Sequence, residues 1–191
     1  MEQQKRSPMK MQLILAGISE IEENGIQNFS MRRIATRCGV SCAAPYKHFE
    51  DKHEFLMEII SYINEEWQGI LHQIIITNEG GLKELIIEIC VAYIRFLLDN
   101  PHFRSVIMLK DVDMMEDFKK AKTAVSDVSN DIIGRYCKSV NMPYKTRMRK
   151  QYVVRSLIYG AAILMDNGEI EYNEDFMEQV RMVISREFDI D

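Results

Sequence analysis

The chain is poor in the residues that make tight turns, with 9 glycines and 4 prolines in 191 residues. That scarcity disfavours a sheet-rich fold built from many hairpins. Four cysteines, only Cys38 and Cys42 close together, leave no ligand set for a structural zinc without two further partners nearby. They read as small buried or half-buried thiols rather than a metal or redox site. The longest apolar run, Leu157–Met165, has nine residues, far below the ~20 that span a bilayer. The polar start MEQQKRSPMK is no signal peptide. No membrane partner, resident cofactor or metal is expected, and the reading is cytoplasmic. Nucleophile elbows, phosphate loops and zinc-protease motifs are likewise missing.

Most informative is a local absence. Ser30–Phe49, SMRRIATRCGVSCAAPYKHF, holds four cations (Arg32, Arg33, Arg37 and Lys47) and no carboxylate, in a chain of net charge −5. Residues 1–54 balance at +1, leaving −6 for the remainder. Any nucleic-acid contact must therefore be local, since an acidic surface repels phosphate.

Hydrophobic residues make up 47% of the chain and charged residues 28%, globular proportions for one ordinary domain or two small ones. Met11, Ile14, Leu15, Ile18 and Ile21 form one helical stripe ending at Gly25. Ser30 then caps a second helix, with Phe29 and Ile34 at hydrophobic-staple positions and Met31, Ile34, Ala35 and Cys38 on its buried face. Gly39 turns the chain. Ser41 is expected to cap a third, short helix to about Phe49, distorted by Pro45 in its first turn. Asp51 with Glu54 starts a fourth helix of ~25 residues, carrying Leu56, Ile59, Ile60, Ile63, Trp67, Ile70, Leu71 and Ile74 on one face.

This order has helix-turn-helix spacing, in which the second helix enters the major groove. Arg32 and Arg33 lie at the positive end of their helix dipole, each unfavourable by roughly 0.3–1 kcal/mol unless an anion sits there. Phosphate would relieve that penalty. The alternative is pairing with Glu22 or Glu23 on the first helix. Ser41, Cys42, Ala43 and Ala44 are small enough for close approach to base edges. Tyr46, Lys47, His48 and Lys52 suit the phosphate backbone. Tyr46 as a core aromatic and His48 as a packed histidine stay open alternatives.

After Asn78–Gly81 the periodicity gives helices over Leu82–Asp99, His102–Lys110, Met114–Ser139, a stretch ending near Met165, and Glu174–Phe188, with a loop at Asp111–Asp113. The helix ending near Met165 is apolar around its circumference at 157–165, so both sides need cover. Leu157, Gly160, Ala161 and Leu164, with Phe176, Val180, Val183 and Ile184 from the last helix, are the expected two-fold interface of a homodimer. Thirteen methionines, eight of them after residue 100, fit an adaptable apolar cavity or ordinary core. Tyr93, Phe96, Phe103, Met108, Tyr136, Tyr152 and Arg155 are its candidate lining.

The segment NGIQNFSMRRIATRCGVS, followed by APYKHFEDKHEFL, resembles the TetR/AcrR family of bacterial transcriptional regulators over some 55–60 residues. The resemblance implies an all-α fold of about nine helices. It divides the chain into an arm (1–9), a helix-turn-helix domain (10–56, motif 30–49) and a ligand-binding and dimerisation domain (57–191). It also implies a dimer on a palindromic double-stranded operator, released by a small, apolar effector. Family roles fall on Ser30 and on Tyr46, His48 and Lys52 as backbone contacts, and on Ser41–Ala44 as base readers. Cys42–Ala43–Ala44 departs from the more usual recognition start, so no operator sequence follows. The arm offers only Lys5, Arg6 and Lys10 to a minor groove. Two alternatives are a metal enzyme built on Glu50-x-x-His53, whose spacing suits a di-iron site but which lacks a second Glu-x-x-His, and a helical protein-binding adaptor.

Overall fold

The computed structural model describes residues 6–108, 116–124 and 126–189, apart from the side chains of 118, 122 and 124. The expected loop at 111–113 and Lys5 lie outside the described residues. Among those described there are nine α-helices and no strand. They are α1 (Pro8–Asn24), α2 (Met31–Arg37), α3 (Lys52–Thr77), α4 (Leu82–Asp99), α5 (Pro101–Ile107), α6 (Glu116–Ala124), α7 (Asp127–Ser139), α8 (Tyr144–Asp166) and α9 (Glu174–Glu187). The chain forms two compact units, Met1–Glu66 with Pro101–Ala124, and Trp67–Asn100 with Val125–Asp191.

In the first unit α1 packs on α2 and α5. Ser7 caps α1 by accepting from the Lys10 N–H at 3.2 Å, and Pro8 occupies its first turn. Gly25, at φ 72°, ends it with its N–H on the Ile21 carbonyl at 2.8 Å. The buried face runs through Leu13, Ile14, Gly17, Ile18 and Ile21. Leu15, expected on that face, is 43% exposed. The face is centred instead on Gly17, where a Cβ would come within 3.2 Å of the Phe55 ring of α3. A missing side chain, silent in a hydrophobic pattern, therefore sets the rotation of α1.

Three phenylalanines fix the ends of the motif. Phe49 stacks on Phe55 at 3.9 Å and Phe29 meets Phe55 edge-on at 5.3 Å. All three are buried. Phe29 precedes α2 and Phe49 follows the turn, so one α3 ring anchors both flanks of 30–49. Asp51 caps α3 by accepting from the Glu54 N–H at 2.8 Å, while the Glu54 carboxylate accepts from the Glu50 N–H.

The third helix is a correction. Over 41–49 the chain winds through successive turns, with only a 3₁₀ turn at Pro45–Lys47. An α-helix starting at Ser41 needs the residue-45 N–H on the Ser41 carbonyl, and proline has none. The Ala44 N–H takes that carbonyl instead, at 2.9 Å, giving the tighter i→i−3 pattern. The single helix expected over 114–139 is also two. Ser126 and Asp127 start α7, and α6 belongs to the first unit while α7 belongs to the second.

In the second unit α4 lies against α7, α8 and α9. Ile94, Leu97, Ala162, Ile184, Phe188 and Trp67 form its centre. Arg181 reaches Glu88 at 3.0 Å and Arg95 reaches Glu174 at 2.6 Å, tying α9 to α4. Tyr136 donates to the Phe188 carbonyl at 2.5 Å and Lys150 to that of Asp189 at 3.3 Å, holding the C-terminal turn.

Candidate nucleic-acid interface and cavity

Ser30 caps α2, accepting from the Arg33 N–H at 3.3 Å. Two neighbours at this helix start go different ways. Arg33 turns inward. Its Nε donates to Glu20 Oε1 at 2.8 Å, and its Nη2 reaches both that oxygen and the Asn28 carbonyl. Glu20 is 1% exposed, a buried carboxylate that requires a cation. Arg33 is thus a structural residue of α1 and α2, and its assignment to phosphate is corrected. Pairing with helix one was the open alternative, but through Glu20 rather than Glu22 or Glu23. Arg37 pairs with Glu23, which raises its pKa.

Arg32 is exposed and, among the described residues, has no ion-pair or hydrogen-bond partner for its guanidinium. The same is true of the Lys47 ammonium. Lys52 donates to the Ile26 carbonyl at 3.2 Å and lies 5.7 Å from the Phe29 ring, exposed and, among the described residues, paired with no carboxylate. Ser41, Cys42 and Ala43 are exposed and Ala44 half-buried, so the turn offers its small side chains to solvent. Tyr46 is 58% exposed and so not a core aromatic. His48 is half-buried with its ring 6.3 Å from Phe49. Two of the three arm cations are neutralised: Arg6 binds Glu65 at 2.7 Å and Glu58 at 3.3 Å, and Lys10 binds Glu58 at 3.1 Å. Arg6 and Lys10 belong to the α3 surface and are not free for a minor groove.

Residues 13–59 match the family model described as bacterial regulatory proteins, tetR family. The first unit carries a TetR-family regulatory domain. No curated protein sequence matches the chain. Solved structures resemble it over nearly its whole length. A TetR family transcription regulator from Marinobacter aquaeolei VT8 superposes with TM-score 0.76 at 15% identity, covering 93% of this chain and 94% of its own. The fatty acid degradation regulator FadR from Bacillus halodurans gives 0.71 at 13%, covering 95% and 96%. FadR from Bacillus subtilis, in complex with stearoyl-CoA, gives 0.69 at 15%, covering 93% and 96%. At these identities the likeness is one of fold.

The second unit of this TetR-like chain contains a cavity of about 400 Å³, within the usual range for small-molecule sites. Of the residues expected to line it, Tyr93, Tyr152 and Arg155 do. Phe96 lies outside the lining, 5.5 Å from Trp67 and 6.2 Å from Tyr93. Tyr136 is buried edge-on to Phe188. Phe103 and Met108 belong to the first unit, Phe103 packing edge-on against Tyr62 at 5.8 Å. Trp67, Cys90, Met148 and Tyr159 line the cavity without having been anticipated. Met148, Tyr152, Arg155 and Tyr159 recur at helical spacing on α8, a signal the sequence does contain. Burial pushes the Cys90 thiol up to about 12. Tyr93 is raised by burial first, then by its neighbour Tyr159. Both stay uncharged at neutral pH.

On α8 and α9, Ala161, Val180 and Ile184 are buried within their own subunit. Their assignment to a subunit interface is corrected, because α9 buries that side against α4 and α8. Leu157, Gly160, Leu164 and Phe176 remain half-buried, and Val183 and Ile163 are each 44% exposed. Among the described residues no group of three or more His, Cys, Asp or Glu side chains could hold a metal, and no helix is long and apolar enough to cross a membrane.

Proposed function

We propose that this protein is a cytoplasmic, dimeric transcriptional repressor, released from a palindromic operator by a small molecule bound in the second unit. The observation that carries the reading is the exposed Ser41–Ala43 stretch of the turn, with Arg32 and Lys47 exposed and, among the described residues, unpaired, on a segment matched by the TetR family model. Ser30, Tyr46, His48 and Lys52 complete the DNA surface. Small side chains permit close approach to base edges, and the cations supply the salt-dependent hold on phosphate. Leu157, Gly160, Leu164, Phe176 and Val183 form the subunit contact, which sets two half-sites ~34–36 Å apart. The stearoyl-CoA bound by the B. subtilis neighbour supports the cavity as the effector site. The effector favours the form of the dimer that binds DNA less well.

Duplexes selected by the protein from a random pool provide the test. They should be palindromic, and Arg32→Glu with Lys47→Glu should weaken binding at least ~100-fold while leaving the unfolding transition in place. Undiminished binding by that double variant would overturn the assignment.

A further inference from the structure

The Ser30–Phe49 block is not the longest stretch of this chain without a carboxylate. Residues 132–165 contain none, and carry Arg135, Lys138, Lys145, Arg147, Arg149, Lys150 and Arg155. This second cationic block covers most of α7 and almost all of α8, in a chain that is acidic overall. Only Lys150 is buried. Among the described residues Lys145, Arg149 and Arg155 are exposed with no carboxylate partner. Stability alone favours placing acids near so many cations, so the sweep points to a ligand charge.

The same helix forms one wall of the cavity. Among the described residues its lining includes no aspartate or glutamate, and Arg155 is the sole charged side chain there. Arg155 sits 5.8 Å from the Tyr159 ring, and its charge works against the burial that raises Tyr93 on α4. The deeper lining is apolar and aromatic, with Trp67, Ile89, Ile158 and Phe188. Tyr152, 74% exposed, and Met148, 48% exposed, mark the outer side. Lys145 stands three residues before Met148 and Arg149 three before Tyr152 on α8, and so both neighbour that opening.

We infer that the cavity takes an amphiphile with an apolar chain and an anionic head, the chain against Trp67 and the head at Arg155. The site selects against amines, which would meet Arg155 and the cations around it with no acid to answer them. The anion can be a free carboxylate held by Arg155 alone, or a larger phosphate-bearing head that also engages Arg149 and Lys145. This rests on the cavity being the effector site.

Trp67 is the single tryptophan of the chain and lines the cavity, so its emission reports occupancy. The full-length protein is titrated with decanoate, decanol, decylamine and decanoyl-CoA, with calorimetry in parallel. Decanoate should bind about tenfold more tightly than decanol and more tightly still than decylamine. Arg155→Gln should bring decanoate down about tenfold, to the level of decanol, and leave decanol unchanged; Arg155→Lys should retain part of the preference. Loss of decanoyl-CoA but not decanoate binding in Arg149→Gln with Lys145→Gln would identify the phosphate-bearing head, and loss of neither would identify the free acid. Binding without head-group preference, or a preference that survives Arg155→Gln, overturns the inference and leaves the effector site standing. Silence toward all four compounds in both measurements overturns both.

Discussion

Replacing Arg33 by glutamine separates a structural arginine from a DNA-reading one. The guanidinium is 51% exposed and its partner Glu20 only 1%. Without it the carboxylate keeps one long hydrogen bond, from Asn24 Nδ2 at 3.3 Å. Breaking a fully buried pair costs about 3–5 kcal/mol. Water reaches this one from the arginine side, so about 2–3 kcal/mol is the reasoned figure. For a chain of this size that lowers the unfolding midpoint by roughly 5–10 °C. Glu20→Gln combined with Arg33→Gln should cost less than Arg33→Gln alone, because the stranded charge is gone. Thermal unfolding followed by circular dichroism measures these steps. DNA affinity, read by fluorescence anisotropy well below the midpoint, should stay within about threefold of the starting protein. If Arg33→Gln melts where the parent does yet loses its DNA, Arg33 is a phosphate contact and the structural assignment is wrong.

Three further outcomes follow from the same geometry. Cys42 is the exposed thiol, Cys90 and Cys137 are buried, and Cys38 is half-buried with its pKa raised mainly by that burial. Maleimide should therefore modify Cys42 first and abolish DNA binding, while Cys42→Ala should resist; a modified protein that still binds DNA would place the turn away from the groove. Glu65 and Glu88 lie below the ordinary 4.5 because Arg6 and Arg181 hydrogen-bond to them. Their contribution is complete above the unfolded value and lost as pH falls through the lower folded values, so Arg6→Gln and Arg181→Gln should flatten the acid side of the urea-stability profile. Val183→Asp should weaken self-association about 100-fold or more, since each copy loses a partly exposed valine and the two-fold axis doubles the effect. Sedimentation equilibrium showing an unchanged dimer would move the interface elsewhere.

Local chemistry made most of the helices legible in the one-dimensional chain. Ser30 and Asp51 cap α2 and α3 because a short oxygen-bearing side chain can satisfy free N–H groups within three residues of itself. Gly25, Asn78–Gly81 and Pro101 punctuate for equally local reasons. Periodicity likewise found most of the buried faces of α2 and α3. It failed where partners lie far along the chain. Leu15 was lost to the close approach of Phe55 at Gly17, and Arg33 to a carboxylate thirteen residues back. Pro45 shows a nearer failure: one absent N–H was enough to turn an expected recognition helix into a string of turns. Charge patterning proved less selective than it looks, since residues 132–165 are as free of acids as 30–49. What the amino-acid order decided alone was the helical class and the motif. Which cation is free and which is spent, and which aromatics meet around an empty volume, is decided by tertiary packing, because ion pairs and cavities join residues that only the folded chain brings within a few ångströms.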